Sequence, residues 1–255
     1  MVKIKTPAEI ELMRVSGFIA ASILKRVAEA VRSEVSTFEL NALAEKLILE
    51  YNKKYGEVRS SFKGYGGFPA VLCTSVNSTI VHGVPSHDVI LKTGDSIGLD
   101  FGVTYKGWHS DTALTVPVGN VDSETHRIIH VCKKALKLGI KKAKPGNTTG
   151  GIGNTIERFT VSSGYEVIRD LCGHGVGKEL HEDPEIPNFG ARHKGVILRP
   201  GMVIAIEPMI VKGKNTLHLS GDGHGYETRH AELNAHFEDT VLITDRGSEV
   251  LTKEK

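Results

Sequence analysis

The sequence predicts an α+β fold in which two pairs of helices each precede a set of β-ribbons. Capping signals followed by apolar residues at helical spacing occur twice in the first half of the chain and twice in the second. Short apolar runs bounded by turn residues follow each pair, as expected for strands. The halves, about residues 1–120 and 121–255, therefore form a pseudo-repeat that brings sheets together around a central cleft with helices outside. Because no Pro/Ser-rich linker divides them, we expect a single domain over residues 1–255.

Four segments carry the helix signals. Thr6-Pro7-Ala8-Glu9 begins the first helix with a cap and a proline in the first turn, and Ser36-Thr37-Phe38-Glu39 has the capping-box pattern for the second. Ser123-Glu124 open a third helix that ends at Lys144-Pro145-Gly146-Asn147, and a fourth begins at Thr148. Two helices are thus predicted in each half.

Apolar runs predict the strands. Residues 70–76 and 79–81 form two short runs, and the second of them ends at His82. Residues 202–211 and 235–244 each predict one strand, in which a single glutamate interrupts the apolar pattern. These runs supply the strands on either side of the central hairpin.

That hairpin comprises residues 96–105 and 108–116, with Lys106-Gly107 as its two-residue turn. In this register Asp111 lies diagonally from Asp100 on the same face of the ladder. Two carboxylates close together in a largely apolar ribbon repel each other and are costly to desolvate. A bound divalent cation explains them, because carboxylate oxygens bind such ions and one carboxylate can bridge two.

Three further donors lie in the second half. In Gly173-His174-Gly175 the glycines would allow backbone and imidazole to approach a small ligand such as a metal ion. Glu207 and Glu238 are the glutamates that interrupt the two apolar runs, and an unpaired buried carboxylate costs several kcal/mol. Four carboxylates and one imidazole suit two divalent ions, and the lack of a thiolate favours Mn, Fe(II), Co or Zn over a structural zinc site.

Two more histidines and a glycine-rich loop are candidates for contacts with a ligand. His82 follows a predicted strand, and His181 lies in a polar loop, residues 180–184, that can fold over the same site. Each histidine alone is more commonly structural. The loop over residues 60–69 can place Tyr65 and Phe68 against a ligand, although an ordinary surface turn is the alternative.

Charge and cysteine content exclude several classes of protein. Lys and Arg total 32 against 30 Asp and Glu, so the formal net charge of +2 gives no field aimed at nucleic acid or anionic lipid. Three cysteines are too few for a disulfide framework and favour a reducing compartment. No apolar run of about 18 residues exists, and the N-terminus leads into an amphipathic helix. We therefore expect a cytoplasmic protein without a membrane span or a signal peptide.

The intervals between the five donors and six local motifs form one pattern over essentially the whole chain. The successive intervals along the chain are 11 residues from Asp100 to Asp111, then 63 to His174, 33 to Glu207 and 31 to Glu238. The motifs are Gly67-Phe68-Pro69, Cys73-Thr74-Ser75-Val76-Asn77, His82-Gly83-Val84-Pro85, Ser110-Asp111-Thr112, Gly173-His174-Gly175-Val176-Gly177 and Glu207-Pro208-Met209. This pattern resembles type I methionine aminopeptidases of the bacterial kind. One motif departs from it, since relatives usually have Gln-(Phe/Tyr)-Glu-His-Thr where this chain has His236-Phe237-Glu238-Asp239-Thr240.

The resemblance implies the pita-bread fold, with two pseudo-symmetric halves, a central antiparallel sheet and outer helices. It also implies a metal-dependent exopeptidase, a hydrolase that removes the initiator methionine from nascent polypeptides and prefers a small second residue. Two divalent ions, Co, Mn, Fe(II) or Zn, are implied as cofactors. Asp100 would hold one ion, His174 and Glu207 the other, and Asp111 and Glu238 would bridge them.

The same resemblance implies the remaining site residues and partners. His82, His181 and Glu207 would act at the scissile peptide, where the two histidines contact the substrate. Tyr65, Phe68 and Cys73 would line the methionine pocket. The expected partners are nascent N-termini, with the ribosome as a candidate, and we expect a monomer that binds neither nucleic acid nor a membrane.

Two alternatives stay open. Xaa-Pro peptidases share the fold and the five-ligand pattern, although they resemble this chain with an added N-terminal domain. A non-catalytic relative could use the cleft to bind protein or RNA, although such relatives usually lose ligands and all five positions are filled here.

Overall fold

The computed structural model describes residues 2–254, which form four α-helices and fifteen β-strands. The helices are α1 Pro7–Glu29, α2 Thr37–Tyr55, α3 Ser123–Lys142 and α4 Thr149–Ser162. The strands are β1 Val58–Ser60, β2 Cys73–Val76, β3 Thr79–Val81, β4 Ser96–Tyr105, β5 Trp108–Pro117, β6 Glu166–Val167, β7 Cys172–Gly175, β8 Glu182–Pro187, β9 Val203–Ile206, β10 Met209–Val211, β11 Leu217–Leu219, β12 Tyr226–Thr228, β13 Asn234–His236, β14 Glu238–Thr244 and β15 Gly247–Val250.

The predicted helix starts are confirmed. Thr6 caps α1 and Ser36 caps α2, each in a complete capping box with a glutamate three residues later. Thr148 caps α4 through a bond from the Gly151 N–H, and Asp122 caps α3 in the same manner. None of the helices within residues 2–254 is both long and apolar enough to cross a membrane.

The strands form one large and two small sheets in the described part of the chain. The large sheet has nine strands in the order β1-β4-β5-β14-β9-β7-β8, with β2 added on β4 and β15 on β14. The small sheets are β13-β10-β6 and β11-β12-β3. Neighbouring strands in the large sheet pair antiparallel, which confirms the predicted central antiparallel sheet.

The hairpin β4–β5 has the predicted register. Asp100 pairs with Ala113 and Gly102 pairs with Asp111, so the two aspartates lie diagonally on one face. Lys106 and Gly107 form the turn with φ values of +51° and +72°, the left-handed pair that a two-residue hairpin turn requires.

The helices cover the opposite face of this hairpin. Alternate residues of β4, among them Leu99 and Phe101, are fully buried against α1 and α2. Since side chains alternate along a strand, Asp100 projects away from the helices. A second apolar cluster joins α3 and α4 to the strands of the second half. The helices therefore lie outside, and the acidic face of the hairpin turns inward.

Three strand predictions are wrong in their bounds. Residues 202–211 form β9 and β10, separated by Glu207 and Pro208, and residues 235–244 form β13 and β14, separated by Phe237. At both points the chain passes between the large sheet, where β9 pairs with β14, and a small sheet, where β10 pairs with β13. In addition, β2 begins at Cys73 and not at Ala70. Apolar patterning reports burial along a segment but not a change of sheet.

Candidate metal centre and substrate cavity

One cavity of about 220 Å³ contains every site residue expected from the sequence. Its lining includes the five donors Asp100, Asp111, His174, Glu207 and Glu238, and also Tyr65, Phe68, Cys73, His82 and His181. These residues come from both halves of the chain. The fold therefore brings together side chains that are up to 173 positions apart in the sequence.

The strand ends and the sheet crossing position the carboxylates. Glu207 follows β9 and Glu238 begins β14, so both lie where the chain passes between the sheets. Thr112 Oγ1 donates to the backbone oxygen of Glu238 at 2.9 Å, which ties β14 to the hairpin strand that carries Asp111. Thr240 Oγ1 donates to the Asp111 backbone oxygen at 2.8 Å. The acidic side chains thus project from strands that these hydrogen bonds hold together.

Burial shifts the acidity of all four carboxyl groups. It raises the pKa of Asp111 to about 7, and burial together with the charges of Asp111 and Glu207 holds the pKa of Asp100 well above its ordinary range. Burial and nearby carboxylates raise the pKa of Glu207 and of Glu238 in the same way. The four carboxyl groups are therefore unfavourable as free anions, and bound protons or cations would stabilise them.

His174 is oriented as a metal ligand. Its Nδ1 lies 2.9 Å from the backbone oxygen of Gly175, and an N–H donated there leaves the lone pair on Nε2. That Nε2 lies 3.6 Å from Glu207 Oε1 and 4.0 Å from Asp111 Oδ2. Burial lowers the pKa of His174 to about 3, so the ring is neutral near pH 7.

The glycines beside His174 lie close to neighbouring backbone. A Cβ at Gly175 would lie 2.2 Å from the Asp183 carbonyl oxygen, and one at Gly173 would lie 2.4 Å from the Ala205 carbonyl oxygen. Close packing of β7 against its neighbours accounts for both glycines without a ligand.

The donor set fits divalent cations. One ligand atom each from Asp111, His174 and Glu238 lies within 4.8 Å of the others. Asp100 Oδ1 and Glu238 Oε1 are buried acceptors without a hydrogen-bond partner among residues 2–254. Cys73 also lines the cavity, but burial and the charge of Asp100 raise its pKa, so it stays a thiol. The available ligands are thus oxygens and one imidazole nitrogen, as hard or borderline metal ions prefer.

Two histidines flank this cluster. The His181 ring lies edge-on to the His174 ring at 4.2 Å, and its Nδ1 is 2.7 Å from the Tyr65 hydroxyl. His82 follows β3 with a φ of +58°, and burial lowers its pKa to about 4. His181 was expected in a polar loop over residues 180–184, but β8 already begins at Glu182.

The sequence did not single out Phe62, Leu180 and His224, which also line the cavity. The His224 ring lies 5.5 Å from Phe68 at an interplanar angle of 89°. Asp222 holds the loop that carries it by accepting from the backbone N–H groups of His224 and Gly225. The glycine-flanked histidine pattern that drew attention to His174 also occurs at Gly223-His224-Gly225. Phe62 and Leu180 carry no such signal.

The fold and site define a metal-dependent hydrolase, and comparison with known proteins identifies which kind. The model of metallopeptidase family M24 matches residues 11–245, and the chain belongs to this family. It is 42% identical over 252 residues to a methionine aminopeptidase of Clostridium acetobutylicum, with 99% of each chain covered. It is 40% identical to methionine aminopeptidase 1 of Bacillus subtilis over 253 residues, which cover 99% of this chain and 100% of that protein.

Solved structures agree with these relatives. The crystal structure of methionine aminopeptidase from Thermotoga maritima superposes with a TM-score of 0.95 at 40% identity, over all of both chains. A prolidase from Pyrococcus furiosus gives a TM-score of 0.75 at 28% identity, over 99% of this chain and 66% of that chain. These comparisons confirm the resemblance, the pita-bread fold and the hydrolase class, and they do not favour the Xaa-Pro alternative.

Proposed function

We propose that this protein is a methionine aminopeptidase that removes the initiator methionine from nascent polypeptides with a small second residue. The observation that carries the proposal is the meeting of four carboxylates, three of them buried and Glu207 largely so, with one imidazole at a cavity with apolar walls. The relatives named above, at 40–42% identity over nearly the whole chain, supply the particular substrate.

The five donors would hold two divalent ions. Asp100 would supply ligands to one ion and His174 and Glu207 to the other, and Asp111 and Glu238 would complete the donor set. When bound, such ions lower the pKa of a water molecule and polarise the carbonyl that it attacks. The unpartnered oxygens of Asp100 and Glu238 support this assignment. The chemistry of the donors admits Mn, Fe(II), Co or Zn.

Glu207 is the proton carrier in this proposal. Burial and the charge of Asp111 raise the pKa of the Glu207 carboxyl group well above its ordinary range, which favours uptake of a proton. It is one of the five donors, with Oε1 3.6 Å from His174 Nε2. Glu207 would accept the proton of the attacking water and pass it to the leaving amine.

His181 and His82 act on the scissile peptide. If the Tyr65 hydroxyl donates to His181 Nδ1 at 2.7 Å, the ring carries its own hydrogen on Nε2. That N–H would donate to the oxygen that becomes negative in the transition state. His82 lines the same cavity and is neutral near pH 7, which suits a contact with the peptide nitrogen or its neighbour.

The cavity walls support methionine as the first residue. Phe68, Cys73 and Leu180 are almost fully buried and present apolar surface, and the more exposed Tyr65 lines the same cavity. An unbranched thioether adapts to such walls and makes favourable contacts with aromatic rings. An acidic side chain would lose hydration there and would also face the donor carboxylates.

The wider setting is also part of the proposal. Leu114 packs against the apolar clusters of both halves, which supports a single catalytic domain with its halves near 1–120 and 121–255. The three free cysteines support a cytoplasmic location. We propose a monomer that acts on nascent N-termini, and the ribosome is a candidate partner because these N-termini emerge there.

A metal-dependent peptide assay tests the function. The purified protein is treated with a chelator, supplied with Mn²⁺ or Co²⁺, and assayed on Met-Ala-Ser, Met-Pro and Ala-Pro peptides. We expect cleavage of Met-Ala-Ser only with metal. Asp111→Asn should abolish it, and Asp245→Asn, a matched change on the exposed β14–β15 turn, should not. Cleavage only before proline would favour an Xaa-Pro peptidase. The absence of both bound metal and activity would favour a binding protein.

A further inference from the structure

His236 is a buried histidine that the proposed mechanism does not use. It ends β13, is 3% exposed and lies two residues before Glu238. Its Nε2 is buried without a hydrogen-bond partner within the described residues 2–254. Because an unpaired buried polar nitrogen destabilises a protein, its presence calls for a functional reason.

The unpaired nitrogen faces the Glu207 carboxylate. His236 Nε2 lies 3.7 Å from Glu207 Oε2, while His174 Nε2 lies 3.6 Å from the other oxygen, Oε1. Glu207 is thus held between two imidazoles, one at each oxygen. Both distances are slightly longer than a hydrogen bond. A small rotation of the Glu207 carboxylate would bring Oε2 within hydrogen-bond distance of His236 Nε2.

The backbone fixes the position of His236. Its N–H donates to Thr115 Oγ1 at 2.9 Å, and Thr115 Oγ1 lies 2.9 Å from the His236 backbone oxygen. His236 also pairs with Met209 in the register of β10 and β13. These bonds hold the strand that carries the ring, and both His236 and Glu207 line a second cavity of about 380 Å³.

We propose that His236 is a positioning residue that donates its Nε2–H to Glu207 Oε2 and thereby orients Oε1 for the metal ion that Glu207 and His174 would hold. The proposal rests on the proposed function, since it assigns Glu207 as a metal ligand. Hydrogen bonds of this kind to ligating carboxylates set ligand orientation and metal affinity. The lack of any other partner for Nε2 among residues 2–254 supports Glu207 as its acceptor.

Two variants of the full-length protein separate this role from a packing role. His236→Leu places an apolar side chain of similar size there but has no hydrogen-bond donor, whereas the side-chain amide of His236→Gln retains a donor. Mn²⁺ affinity is measured by calorimetric titration, and the melting temperature is measured without metal. We expect His236→Leu to weaken Mn²⁺ binding by about 10–100-fold and His236→Gln to weaken it by less than about threefold. The metal-free Leu variant should melt no lower than the wild type, because it loses an unpaired polar atom.

Glu207→Gln is titrated in parallel. If it weakens Mn²⁺ binding while both His236 variants bind like the wild type, the role of His236 is refuted and the metal site stands. A lower metal-free melting temperature together with equal losses of affinity in both His236 variants would show a packing role and would also refute the proposal. Unchanged Mn²⁺ binding by Glu207→Gln would overturn the proposed site itself, and the role of His236 with it.

Discussion

Replacing Glu238 by glutamine removes one of the buried negative charges without changing the shape of the side chain. Ligand atoms of Asp111 and Glu238 lie within 4.8 Å of each other. At an effective dielectric constant of about 20, two unit charges at this distance repel each other by about 3.5 kcal/mol. The metal-free wild type relieves part of this repulsion by taking up a proton. The metal-free variant should therefore be more stable by up to about 3.5 kcal/mol, or at most about 7–14 °C in melting temperature.

Thermal unfolding with a chelator and with Mn²⁺, at about pH 8.5, measures both parts of the effect. The wild type should gain about 2.7 kcal/mol when free Mn²⁺ is about 100 times its dissociation constant. Glu238→Gln should gain much less, because a bridging oxygen is lost. Glu166→Gln, a matched change at an exposed strand position, should behave like the wild type.

The opposite pattern would refute this reasoning. If metal-free Glu238→Gln melted below the metal-free wild type and Mn²⁺ still stabilised it fully, the carboxylates would not repel each other and would not share an ion. The buried acids would then be protonated structural groups.

Three further predictions concern the substrate histidine, the pH dependence and the N-terminal segment. His181→Ala should keep Mn²⁺ affinity within about threefold and lose about 10²-fold or more in kcat; an unchanged turnover of Met-Ala-Ser would remove His181 from the mechanism. Between about pH 7 and 8.5 the metal-free protein should lose stability as pH rises, because Asp111 and the other donor carboxyls have raised pKa values and bind protons only when folded. Urea unfolding with a chelator measures this dependence, and a flat or rising trend would contradict the assignment. Lys5→Met should lower the free energy of unfolding by about 3 kcal/mol, because Lys5 and Glu182 form a buried pair at 2.9 Å. Lys3→Met, which removes the exposed partner of Glu182, should cost less than about 1 kcal/mol, and equal losses in the two variants would show that burial does not matter.

Local rules predicted the parts of the fold that neighbouring residues decide. The capping boxes at Thr6 and Ser36 and the hairpin turn at Lys106 depend on contacts within a few residues, so the sequence specifies them directly. The hairpin register then placed Asp100 and Asp111 on one face, and alternation along β4 turned that face away from the helices.

Long-range features were beyond these rules. The change of sheet at Glu207 and Pro208 depends on which distant strand pairs with each segment, and periodicity along one segment carries no such information. The bond from Tyr65 to His181 and the approach of His224 to Phe68 join residues more than 100 positions apart. The five donors were found because charged side chains in apolar runs are costly. The hairpin register brought Asp100 and Asp111 together, and the resemblance to a family assigned all five to one metal centre.

Anomalous diffraction from crystals grown with Mn²⁺ tests the central claim most directly, since it locates the ions independently of activity. We predict two Mn²⁺ peaks in the cavity, bonded between them to Asp100, Asp111, His174, Glu207 and Glu238. A cavity without Mn²⁺ at saturating concentration, or ions bonded to none of these side chains, would contradict the account.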